Sequence, residues 1–326
     1  MPHSNKRIYI FCPPHIQSGG PEAIYQLRYY MEMAGFDAYL VYFKAKKDIP
    51  LMPERYKIYN PRFKKEDEID DNTNNILIAA ETYSDQLNGF IHIQKCIWWL
   101  SVNYAVYVPH TTIRIIKNFI KDTLKLWKKP EKRFDYSLKD CKHICGSKYA
   151  YEFLRKRGLK NIHYCVEPIS KPFLEYKDWK SYKRNDVILY NPAKPSELML
   201  KLLERKNFEF APLQGYTPAE LAEYYQQAKL YVDFGIFAGP ERMPKEAVYF
   251  GCTILVGKRN AAKNNWDVAI PDKYKIPRME DIEFVENRIR FMLDNYDRNS
   301  NDFKPFRDKV ELIEVNFIKQ LKESFA

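Results

Sequence analysis

No apolar run of about 18 residues, the length needed to span a bilayer, occurs in the 326-residue sequence. The amino-terminal MPHSNKRIYIF passes straight into a strand pattern without the apolar core of a signal peptide, so a cytoplasmic protein is expected. No pair of CxxC elements occurs, and a structural zinc is not expected. Cys12, Cys96, Cys141, Cys145, Cys165 and Cys252 sit mostly in or beside apolar strands, as reduced core thiols do. The loop HIQSGGPEA lacks the GxGxxG pattern, which removes support for a bound dinucleotide cofactor. RNP, KH and helix-turn-helix signatures are missing, and the aromatic residues, 15% of the chain, cluster inside apolar runs. A net charge of +11 is therefore read without a nucleic-acid partner. That charge also suits an anionic membrane face or an anionic sugar nucleotide, and a nucleic-acid-binding protein stays as the reading that charge alone motivates.

What is present is a chain with 45% hydrophobic residues, enough for two cores, in which strand and helix patterns alternate. Arg7 to Phe11 reads as strand, Cys12 to Gly20 as loop, Pro21 to Ala34 as helix closed by Gly35, and Ala38 to Phe43 as strand. Leu51 to Asn75 is polar, and the acidic run Glu66 to Asp71 reads as a solvated loop. Asn75 to Ala80 and Lys95 to Leu100 are buried strands. Polar residues follow each, Glu81 and Thr82 after one, Ser101 and Asn103 after the other. Such positions face the ligand side of an α/β sheet, although caps or turns account for the same residue types. Residues 114–133 form a basic amphipathic helix with Trp127 at its edge, suited either to a membrane interface or to packing on a sheet.

Residues 168–186 break the pattern and read as a linker. Strand Val187 to Tyr190 follows, then the loop NPAKPSE and a helix N-capped by Ser196. Thr217, Pro218 and Glu220 make a capping box for a helix that leads to the strand Leu230 to Phe234. A glycine-rich loop to Met243, a short helix opened by Pro244 and stopped at Gly251, and the strand Thr253 to Val256 complete a βαβ unit. Glu241, Arg242, Lys245 and Glu246 fall at an exposed helix start. There the N–H groups and dipole favour a phosphate, and a carboxylate can hold ribose hydroxyls. A solvated charged loop with a helix cap explains the same residues.

The stretch GPERMPKEAVYFGC resembles the donor-binding stretch of glycosyltransferases with the GT-B fold. It is similar to the large retaining group with a paired-glutamate motif, but only the second glutamate is present, since Ala238 stands where the first belongs. The resemblance implies two Rossmann-like α/β domains facing a cleft: an acceptor-side domain at 1–172, a donor domain at 173–304, and a C-terminal helix at 305–326 that packs back on the first. It implies that Glu246 holds the nucleotide ribose and that Lys194 opposes the donor diphosphate. It also implies that Ser18, Gly19 and Gly20 lie near donor phosphates and acceptor, where a plain tight turn would explain a Gly-Gly pair as well. The expected donor-side residues are Gly19, Gly20, Lys194, Glu241, Arg242, Lys245 and Glu246; the acceptor-side residues are Ser18, Glu81, Ser101 and Asn103. The expected reaction moves a sugar from a nucleotide-sugar donor to a glycan or lipid-linked acceptor, in bacterial surface polysaccharide synthesis, with no cofactor and no metal. Residues 114–133 would contact the inner face of the membrane. The alternative is a noncatalytic glycan-binding or assembly subunit on a decayed transferase fold, motivated by Ala238.

Overall fold

The computed structural model describes residues 6–43, 51–102, 135–176, 183–193 and 196–326. Lys194, Asn103 and the helix expected at 114–133 lie outside them. The described chain divides into two compact units, residues 1–167 with 315–326, and residues 168–314.

In the first unit the order is β1 (Arg7–Cys12), α1 (Gly19–Met33), β2 (Asp37–Tyr42), β3 (Phe63–Lys64), β4 (Ile76–Ala80), β5 (Gln94–Trp99), β6 (Lys142–Cys145), α2 (Lys148–Arg155) and β7 (Ile162–Tyr164). Its seven strands pair in parallel in the order β3-β2-β1-β4-β5-β6-β7. Continuous apolar runs such as Ile76–Ala80, buried at every position, are what a sheet covered on both faces requires. The second unit holds α3 (Lys171–Glu175), β8 (Asn185–Tyr190), α4 (Glu197–Arg205), β9 (Phe210–Pro212), α5 (Pro218–Gln227), β10 (Ala228–Asp233), α6 (Arg242–Tyr249), β11 (Thr253–Gly257), β12 (Lys275–Ile276), α7 (Ile282–Asp294), α8 (Tyr296–Asn299) and α9 (Lys304–Glu311). Its sheet, also parallel, runs β12-β11-β10-β8-β9.

Local signals fix several boundaries. Ser147 and Ser196 accept from the amides of Ala150 and Met199, and Thr217 with Glu220 closes the reciprocal capping box. Gly251, at φ +88°, ends α6: its amide donates to Val248 O, and that of Cys252 to Ala247 O. Two expectations fail for want of tertiary contacts in the sequence. Residues 51–60 are not simply a polar loop, because the 3-10 turn Glu54–Tyr59 buries Tyr56 and Tyr59 completely. Within the acidic run, Asp71 is more than solvated. Its carboxylate accepts from the amides of Ile91, His92 and Ile93 at 2.9, 2.9 and 2.7 Å, fixing the turn before β5 and holding its pKa below the usual carboxylate value.

The last helix, α10 (Ile313–Phe325), contributes residues 315–326 to the first unit. Phe317, Leu321 and Phe325 are fully buried in the core that α1 and the sheet share, with Phe317 edge-on to Tyr30 at 5.6 Å. Lys6 donates to Phe325 O at 3.0 Å, Lys142 donates to Ser324 O, and the Val166 amide donates to Gln320 Oε1 at 2.9 Å. Phe317→Ala should therefore destabilise the first unit by about 3–5 kcal/mol. Lys319→Ala, which removes only an exposed pair with Glu323, should change stability by less than about 0.5 kcal/mol. Urea unfolding of both variants checks this, and equal midpoints would show that α10 is not part of that core.

Candidate active site

Each sheet has one place where the chain reverses its direction of growth. In the first unit β1 stands between β2 and β4; in the second β8 stands between β9 and β10. Connections leave such a point to opposite sides, and the crevice outside the carboxyl ends of the strands is where open α/β sheets take ligands.

At the first of these points lie Ser18, Gly19, Gly20 and Glu81. The helix α1 begins at Gly19, two residues earlier than the sequence pattern suggests, with Ser18 as an extended N-cap whose side chain makes no capping bond. Pro21 fits in the first turn because amides there have no intrahelical partner. Neither glycine has a left-handed backbone, and a methyl group at Gly20 would meet only Leu100 Cδ1 at 3.8 Å. Fold geometry therefore does not require glycine at position 20. Leu100 links Gly20 to Glu81, for its amide donates to Glu81 Oε2 at 3.0 Å. Burial pushes the Glu81 carboxyl up to about 7 in spite of that bond and others from backbone amides. Ser101 is half-buried beside it. The same loop contains a feature the sequence reading missed: His15 adopts φ +68°, with its amide donating to Leu51 O at 3.0 Å. A histidine in left-handed backbone has no sequence signature.

At the second point β10 ends in Asp233, a buried carboxylate that accepts from the Gly235 amide at 2.9 Å and the Tyr231 hydroxyl at 3.1 Å. The 234–241 loop is held on its other side by Arg259, whose guanidinium donates to Phe234 O and to Gly235 O. Sequence reading passed over both residues, because a charge at a strand end acquires meaning only through such partners. Helix α6 starts at Arg242 after an N-cap at Glu241, not at Pro244. Glu241 and Arg242 are half-buried at its mouth, and Arg242 Nη2 donates to Ser170 Oγ at 3.0 Å. Starting the helix early places Lys245 and Glu246 on the second turn, where both are 6% exposed. The expectation of an exposed Glu246 is thus corrected: Tyr225, itself fully buried, donates to Glu246 Oε2 at 3.4 Å. Cationic partners complete the other end of α6, where Arg307 Nε donates to Val248 O at 3.1 Å and Arg184 donates to Phe250 O.

A cavity of about 340 Å³ is lined by Ser196, Glu197, Lys201, Arg259, Met279 and Glu280, among the segments that follow β8, β11 and β12, and its Lys201 is paired with Glu197 at 2.7 Å. Another, of about 630 Å³, opens at the opposite end of the first unit's sheet. Its Arg62 is already paired with Asp37 at 3.1 Å and Glu32 at 3.6 Å, which leaves little charge there for an anion. Among the described residues, no cluster of three or more His, Cys, Asp or Glu could hold a metal ion, and no helix is long and apolar enough to cross a membrane.

No family model and no curated protein matches the sequence. Solved structures do match. TarM of S. aureus aligns over 99% of both chains with a TM-score of 0.67 at 10% identity. Sucrose-phosphate synthase from Thermosynechococcus elongatus aligns over 98% of both at 0.61 and 11%. The fold is GT-B. A DNA-modifying β-glucosyltransferase, solved with and without its substrate uridine diphosphoglucose, aligns over 98% of this chain and 99% of its own at 0.54 and 11%. At these identities the likeness establishes architecture, and site chemistry has to come from the residues described above.

Because the fold favours the protonated form of Glu81, the carboxylate weakens the structure progressively above the ordinary carboxyl range and most fully above pH 7. Glu81→Gln, which keeps an acceptor for the Leu100 amide, should raise stability at pH 8 by up to about 3 kcal/mol and change it little at pH 4. Denaturant titrations at the two pH values decide it; equal effects at both would mean that Glu81 does not titrate near neutrality.

Proposed function

We propose that the protein is a glycosyltransferase that moves a sugar from a nucleotide-sugar donor, UDP-linked by analogy with the β-glucosyltransferase substrate, to a glycan or lipid-linked acceptor in surface polysaccharide synthesis. The observation that carries this reading is the helix start at Arg242 beside the reversal point of the second sheet. Half-buried Glu241 and Arg242 flank it, and a cavity of mixed charge that includes Arg259 lies in neighbouring segments of the same unit.

In this reading the amides at the start of α6 and the Arg242 guanidinium receive the diphosphate. Negative charge on the departing nucleotide grows toward the transition state, so a fixed cation and an oriented helix end favour that state over bound substrate. Lys194 and Lys245 supply further positive charge. Glu246, held by Tyr225, takes the ribose hydroxyls from its second-turn position. Gly19 and Gly20 let donor phosphate or acceptor approach the first unit, and Glu81, with Ser101 and Asn103, faces the acceptor. The reaction needs no cofactor beyond the donor and no divalent cation. Residues 114–133 bring a cytoplasmic protein to the inner face of the membrane, where lipid-linked acceptors are found.

Calorimetry with UDP should give binding that weakens about tenfold or more in Glu246→Gln and Arg242→Ala. Transfer from a UDP-sugar should persist in EDTA, with Arg242→Ala lowering kcat more than donor affinity. Abolition by EDTA would overturn the metal-free mechanism. Binding of UDP without transfer to any glycan would favour the glycan-binding subunit that Ala238 suggests, and transfer to DNA alone would replace the acceptor.

A further inference from the structure

We propose that residues 51–60 form a clasp that sets the geometry of the β1–α1 loop, with Tyr56 as its positioning residue. The inference rests on the reading of that loop as a ligand-binding helix start and names what holds it in shape. Two adjacent glycines at a helix start give it more conformational freedom than any other pair would, so a usable arrangement of their amides needs bracing from outside. Ser18 cannot supply it, since its side chain makes no capping bond.

The clasp engages the loop at three successive points. Leu51 O receives the His15 amide at 3.0 Å and keeps that residue in left-handed backbone. The Tyr56 hydroxyl accepts from the Ser18 amide and donates to Ser18 O, each at 3.1 Å, so one hydroxyl fixes both backbone groups of the N-cap. Glu22, in the first turn of α1, accepts from the Tyr59 hydroxyl at 2.8 Å and lies 3.6 Å from the Arg55 guanidinium. The clasp is anchored independently of the loop. Arg28, fully buried, donates to Asn60 O at 2.6 Å, and the Tyr56 ring packs on Tyr25 with centroids 4.6 Å apart. Ser18 and Gly19 themselves are exposed. An exposed helix start is thus held from behind by a buried tyrosine, an arrangement that leaves its outer side open to a ligand.

Tyr56→Phe keeps the ring packing and removes only the hydroxyl. Tyr9→Phe is the control, because Tyr9 is equally buried and its hydroxyl receives the Asp70 amide at 3.3 Å, away from the loop. In Tyr56→Phe the amides of Ser18, Gly19, Gly20 and Glu22 should exchange with deuterium about tenfold faster, and kcat for sugar transfer should fall about tenfold with a smaller change in KM. Neither change is expected in Tyr9→Phe. Unchanged exchange at 18–22, or an active Tyr56→Phe enzyme with wild-type kcat, overturns the clasp. Absence of UDP affinity in the wild-type protein would overturn the donor reading instead, and the exchange measurement would still decide the clasp.

Discussion

Reversal of strand order in a parallel sheet leaves two neighbouring strands whose connections depart to opposite faces, and no chain covers the ends between them. Both units are built around such a point, between β1 and β4 in one and between β8 and β10 in the other. Polar groups gather there because helix starts present unpaired amides to the same crevice. Ser18 to Gly20 and Glu81 occupy the first point, Asp233 the second, with the 234–241 loop leading from it to the α6 start. Everything assigned to ligand binding in the described residues depends on that topological constraint.

Buried carboxylates are the second theme. Glu22, Glu81, Asp233 and Glu246 are each at most 8% exposed, although removing a carboxylate from water is costly unless hydrogen bonds replace its hydration. The replacements differ. Glu22 and Glu246 receive tyrosine hydroxyls, Glu81 backbone amides, and Asp233 one of each. Hydroxyl and amide partners carry no net charge, so they replace hydration and orient a carboxyl group without neutralising it. Glu22 has Arg55 close by as well.

Much of the architecture was legible from local pattern. The alternation of strand and helix, the caps at Ser196 and Thr217, and the helix stop at Gly251 all rest on contacts within a few residues. Strands β3, β7, β9 and β12 span only two or three residues each, too short for any periodicity to declare them. Site residues were less legible. The depth of Glu246, a proposed donor-side residue, was not legible, since that follows from a helix that starts at Arg242 and ignores the proline at position 244. Asp233, Arg259, His15 and Tyr56 were missed because each acquires its role from partners that are distant in sequence or from backbone conformation.

The central claim is that the second unit carries a nucleotide-sugar site at its strand-order reversal. Hydrogen–deuterium exchange across the whole chain, with and without UDP, tests it most directly. Protection concentrated at residues 234–246 and around Arg259 is the expected result. No protection there, or protection confined to surfaces away from the carboxyl ends of the strands, would contradict it.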